Sequence, residues 1–220
     1  MRVLLLWSLL LPLCGFAQSD TSKQTLRRPP YTLKITPLEL INPFQQAINV
    51  QADIPLTSHW GIDLGVGFVM NSWTFAQHKG ESYRGLKFKP ILKYYTGRAS
   101  LNGGYIGLVL KYNYIHNERY INVLRQGGQY TEWLLECKKF VVWGAGVRYG
   151  YQYYLGKRKR GVIEPFIGIG IRQVQVSQYA LPPDAELLFI EEWFSFNREP
   201  GIYKTPDLML GFAIGWVLHP

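Results

Sequence analysis

Four histidines, His59, His78, His116 and His219, are the side chains of the sequence best suited to general-base or metal chemistry. A hydrolase would need one of them beside a nucleophile and an orienting acid. His78 has Glu81 and Ser82 nearby, and His116 ends an alternating segment, yet neither stands at the spacing of a nucleophile and its base. No His, Cys, Asp or Glu grouping has metal-ligand spacing. Catalytic, cofactor-binding and metal sites are therefore not expected, and a lipid hydrolase at a membrane rim is the remotest function considered.

The charged residues say more. Lys87, Lys89 and Lys93 alternate with Leu86, Phe88, Pro90, Leu92 and Tyr94, so all three ammoniums share one face of an extended chain. Asp53, Asp63, Lys111, Arg148, Glu164 and Arg172 repeat the arrangement in other segments, each opposite a bulky apolar face. With Lys34 counted, the cations on this face outnumber the carboxylates even when Glu39 is included, so a water-filled lumen lined by them would favour anions. The competing expectation is a plugged interior in which these groups pair.

Positioning them requires strands. The stretch Trp60 to Met70 places Trp60, Ile62, Leu64, Val66, Phe68 and Met70 on one side, and Gly61, Asp63, Gly65, Gly67 and Val69 on the other. The same period marks Gln46–Ile54, Leu86–Tyr94, Ile106–Tyr114, Val141–Tyr153, Ile163–Arg172 and Leu208–Leu218, and an irregular eighth segment is expected over Leu33–Ile41. Short links at Pro55–His59, Thr96–Gly103 and Gly156–Gly161 alternate with long ones at Asn71–Gly85, Ile115–Phe140 and Val174–Asp207. Short turns on one side and long loops on the other are the habit of an outer-membrane barrel.

Composition agrees. The 220 residues are 18% charged and 15% aromatic, with 22 Gly, 15 Tyr and 7 Trp; a soluble domain carries about 25% charged residues. The opening "MRVLLLWSLLLPLCGFAQS" reads as a signal peptide over 1–17, cleaved after Ala17, followed by a periplasmic segment 18–32 and a barrel over 33–218. Cys137 is then the only cysteine of the mature chain, which excludes an internal disulfide.

Two environments could produce the alternation. A lipocalin-like barrel would bury the bulky face. Against that, Gly65, Gly67, Gly144, Gly146, Gly150, Gly168 and Gly170 populate the other face, and strand glycine suits a crowded interior better than a solvated surface. A lysine on a lipid face costs roughly 2–4 kcal/mol near the midplane, which fixes the register. Ile62, Leu64, Val66, Phe68, Leu108, Leu110, Ile167, Ile169, Leu210 and Phe212 are thus expected to face lipid. Trp60, Tyr94, Tyr95, Tyr105, Tyr153, Tyr154 and Trp216 are expected in one interfacial girdle, with Trp73, Tyr112, Tyr114 and Phe140 in the other.

The runs "LKITPLELINPFQQAINVQADIPLTSHWGIDLGVGF", "YRGLKFKPILKYY", "GGYIGLVLKYNY", "GAGVRYGYQYYLGKR" and "EPFIGIGIR" resemble small outer-membrane β-barrel proteins of Gram-negative bacteria grouped under a domain of unknown function, with the architecture of the OmpA membrane domain. The resemblance implies fold and location and carries no reaction. The C-terminal "WVLHP" departs from the terminal aromatic common in such proteins.

The expectation is an all-β, closed, eight-stranded, antiparallel up-and-down transmembrane barrel, monomeric, in the cell outer membrane, with a structural or surface-interaction role. A narrow anion-selective channel is the alternative. Its partners are outer-membrane lipids and an extracellular molecule met through loops 115–140 and 174–207. The basic turn "GKRKRG" suits lipid head groups, and nucleic acid is not expected in the periplasm. Tyr120–Glu136 reads as a hairpin with Gly127 and Gly128 at its tip, and Pro182–Phe196 as a short helix capped by Asp184 or a folded loop.

Overall fold

The computed structural model describes residues 31–40, 46–71, 82–97, 101–156, 160–179, 182–187 and 200–218. The expected signal peptide, residues 18–30, Trp73, His78, Lys157–Lys159 of the basic turn, residues 188–199 of the last loop and His219 lie outside them.

Alternating sequence becomes alternating exposure. The elements are β1 (Tyr31–Ile35), α1 (Pro37–Leu40), β2 (Ala47–Pro55), β3 (Trp60–Val69), β4 (Ser82–Tyr95), β5 (Gly103–Arg125), β6 (Tyr130–Leu155), β7 (Gly161–Gln178), the two-residue β8 (Glu186–Leu187) and β9 (Gly201–Leu218). Strands β1 to β7 and β9 pair antiparallel with their neighbours, and β9 returns to β1, so eight strands form an up-and-down ring. Tyr31 pairs with Leu218, which places both ends of the ring beside its short turns.

The bulky face is the outside. Ile169 is 71% exposed, Leu208 73% and Leu210 70%, and Val66, Phe68, Leu108, Leu110 and Ile167 are exposed as well. Ile62, Leu64 and Phe212 share that face, half-buried. The soluble arrangement, with these side chains inside, is therefore not the one adopted.

Inside, the lumen is layered. Tyr95, Leu101 and Tyr105 pack together at the short-turn end. Charged groups fill the middle. At the long-loop end Ala47, Val69 and Ile115 pack with Tyr83 and Phe140, and Val142, Val174 and Val176 with Phe140 and Tyr203.

Three expectations change, and one becomes more specific. The first strand runs over Tyr31–Ile35 and not Leu33–Ile41, because Pro37 supplies no N–H to a ladder and suits the first turn of a helix, here α1. The long link 115–140 is mostly strand: β5 and β6 stay paired from Ile115 and Phe140 up to Arg125 and Tyr130, and the turn between them holds Gly127 and Gly128 at φ +66° and +91°. This matches the hairpin read from Tyr120–Glu136. In the last loop, Glu186–Leu187 is a strand pairing with Val123 and Leu124 where a helix had been one option, and Asp184 Oδ2 meets Arg125 Nε at 2.9 Å instead of capping it. Finally, Tyr95 and Tyr105 belong to the interior and not to a girdle, both at 0% exposure, since each shares the parity of an inward neighbour, Lys93 or Gly107.

Candidate functional site

The lower lumen is built from one charged residue on each of six strands. Lys34 comes from β1, Asp53 from β2, Asp63 from β3, Lys93 from β4, Arg148 from β6 and Glu164 from β7, and all are at most 1% exposed. Each lies at an inward position of its alternation, and pairing registers such as Asp53 opposite Asp63 bring them to one level.

Lys34 Nζ donates to Asp53 Oδ2 at 2.5 Å, to Asp63 Oδ2 at 3.0 Å and to Glu164 Oε2. Lys93 Nζ reaches Asp53 Oδ1 at 2.8 Å, Asp63 Oδ2 at 3.0 Å and Glu164 Oε2 at 3.0 Å. Arg148 Nη2 donates to Glu164 Oε1 at 2.6 Å, while the Tyr105 hydroxyl donates to the same carboxylate. Thr32 Oγ1 adds a bond of 3.2 Å to Asp53. Three cations face three carboxylates, so the cluster is neutral and its desolvation is offset by mutual contact. Lys93 and Arg148 also lie 4.7 and 5.4 Å from the Tyr105 ring centroid.

The carboxylates of Asp53, Asp63 and Glu164 approach one another within 4.8 Å, as metal ligands would. The ammoniums of Lys34 and Lys93 contact all three of them, so the protein supplies its own cations.

Above the cluster is a cavity of about 260 Å³. Lys87 and Lys89 share Glu39 of α1 at 3.4 and 3.1 Å. Lys111 and Arg172 share Asp207 at 2.5 and 3.8 Å. Four cations thus meet two carboxylates on these walls, with Arg148 below. The interior charges read from the sequence therefore divide: Asp53, Asp63, Lys93, Arg148 and Glu164 join the sealed cluster, while Lys87, Lys89, Lys111 and Arg172 line the cavity.

Sequence reasoning missed Asp207, assigned to a loop, although counting back from Met209 along β9 puts it inward. It also missed the hydroxyl of Tyr105. Lys34 and Glu39 entered the charge tally, but the level at which each sits depends on β1 stopping at Ile35.

Elsewhere, the ligand atoms of His116, Glu118 and Cys137 lie within 4.8 Å of one another, His116 Nε2 being 3.1 Å from Glu118 Oε1. The linear spacing hides this group because Cys137 arrives across the β5–β6 ladder, opposite Glu118. These three residues could ligate a metal, a grouping that the linear spacing had spoken against. His59 Nδ1 lies 2.9 Å from Ser58 Oγ, with both side chains exposed in the β2–β3 turn.

A ring of eight up-and-down antiparallel strands, apolar outside and filled with paired charges, is the class of protein that fold and interior define. The chain belongs to the DUF3575 family, proteins of unknown function, whose pattern matches residues 40–189. The match runs from the end of α1 to just beyond β8, so the β1–β9 seam falls outside it. No curated protein and no solved structure matches the chain.

Proposed function

We propose that this protein is an outer-membrane β-barrel that crosses the bilayer with the strands of its ring and performs no catalytic step. One observation carries the reading. Large apolar side chains, among them Phe68, Leu108, Ile167 and Leu210, form the outer surface, while Asp53, Asp63, Lys93, Arg148 and Glu164 are sealed within. Water would penalise such a surface, since a monomeric soluble protein rarely exposes contiguous apolar patches beyond a few hundred Å². Hydrocarbon favours it, and where β1 to β7 and β9 pair with both neighbours the ring satisfies their backbone groups without water.

In this reading the short turns face the periplasm, the N-terminal leader directs export, and the β5–β6 hairpin projects outside the cell. The role is structural or one of surface contact, through lipid and through the segments 115–140 and 174–207. A narrow anion conductor is the second reading, favoured by the cationic cavity; the neutral cluster beneath the cavity blocks that path.

Fractionation followed by gel migration with and without boiling tests the proposal. The protein is expected in the outer-membrane fraction, with the unboiled form migrating apart from the boiled one. Recovery in the soluble fraction without detergent would overturn it.

A further inference from the structure

Among the described residues the wall of the ring is incomplete on one side. β1 stops at Ile35, paired with Ile214, whereas β9 continues up to Gly201. Among the described residues, β9 from Gly201 to Ala213 pairs only with β7. The chain turns inward at Thr36, whose N–H donates to Asn49 O at 3.2 Å, and α1 then packs against both β2 and β9. The cavity above the charged cluster reaches this gap: it is lined by Lys87, Lys89, Lys111 and Arg172 within and by the outward-facing Leu208 and Leu210. One space therefore touches both the charged lumen and the apolar exterior.

Three features of that space describe an occupant. Among the described residues its walls carry four cations against the two carboxylates of Glu39 and Asp207, a charge excess that favours an anionic ligand. Thr36 Oγ1 and Asn49 Oδ1 line it, buried to 3% and 4% exposure, without a hydrogen-bond partner among the described residues. A hydroxyl can donate to a phosphate oxygen, and an amide oxygen can accept from a head-group hydroxyl. The mouth is framed by Leu38, 37% exposed, and by Leu208 and Leu210, which suit an acyl chain.

We infer that the cavity is a binding site for the phosphate head group of an anionic lipid, entered sideways between α1 and β9 with the acyl chains remaining outside the ring. The inference rests on the membrane reading above and adds a ligand class to it. Lys89 and Arg172, on opposite walls, hold the phosphate, and the neutral cluster centred on Glu164 forms the floor that stops it passing through.

Native mass spectrometry of the detergent-solubilised full chain provides the test, with phosphatidylglycerol, phosphatidylcholine of the same acyl chains, and inorganic phosphate as probes. Phosphatidylglycerol is expected to bind about tenfold or more tighter than phosphatidylcholine, and the Lys89→Gln, Arg172→Gln double variant to abolish that preference. Lys111→Gln alone should weaken it in part. Each variant must keep the heat-modifiable migration of the parent chain, and Lys111→Gln carries the test if the double variant does not fold. Equal binding of the two lipids, or a preference surviving these substitutions, would overturn the inference. Inorganic phosphate binding as tightly as phosphatidylglycerol would assign the site to a free anion and overturn the lipid. A chain soluble without detergent would defeat the membrane reading first, and the inference with it, through a different observation.

Discussion

Glu164 shows how much a single side chain can hold in this interior. Its two oxygens meet Lys34, Lys93, Arg148 and the Tyr105 hydroxyl, and each of these residues is at most 1% exposed. Removing one charge from a buried neutral cluster leaves its partner uncompensated, at a cost of about 3–5 kcal/mol. Glu164→Gln is therefore expected to destabilise by that amount in urea unfolding of the detergent-folded protein. Adding Lys93→Met restores neutrality, so the double variant should be more stable than the sum of the two single changes; strict additivity would contradict the described network. On the other face the sign depends on the surroundings. Ile167→Lys should cost roughly 2–4 kcal/mol in a lipid-folded assay, because its ammonium would enter hydrocarbon. Leu135→Lys, on the exposed β5–β6 extension, should cost about 0.5 kcal/mol or less. Equal costs at the two sites would remove the distinction between membrane and solvent on which the reading depends.

At the scale of the element, small residues let strands and filling approach. A Cβ on Gly150 would sit 2.5 Å from the Tyr105 Cζ, and one on Gly215 would strike Leu33 O and stand 2.6 Å from the Lys34 Cγ. Tyr105 and Lys34 are fully buried and take part in the central packing, so neither can move aside freely. Gly215→Ala is expected to destabilise by about 1–3 kcal/mol, measured as a shift of the urea midpoint, by overpacking at the β1–β9 seam. The hairpin of β5 and β6 behaves differently. Its tip at Gln126–Gln129 is solvent-exposed and far from the ring, and shortening it by whole residue pairs should leave folding of the ring intact while abolishing any contact made there. A gel comparing boiled and unboiled truncated protein checks this.

At the scale of the molecule, two observations bear on transport: a cationic cavity in the upper lumen and a sealed neutral cluster below it. Planar-bilayer recordings are accordingly expected to show no reproducible conductance steps; anion-selective steps abolished by Lys89→Glu would favour the channel instead. Strand order and inward parity could be read directly along the chain, because a strand's side chains alternate whatever surrounds them. That parity placed Asp53, Lys93, Arg148 and Glu164 on one face before any fold was known. Alternation alone could not say which face was inside, and the glycines on the face opposite the bulky one supplied that, but nothing along the chain showed that Pro37 would end β1 and turn Glu39 inward. Which charges meet at one level, that Tyr105 joins them, that Cys137 crosses to His116 and Glu118, and that the wall opens beside β9 depend on inter-strand register. Register is a relation between distant segments, fixed by ladder pairing and interior volume, and only the closed ring decides it.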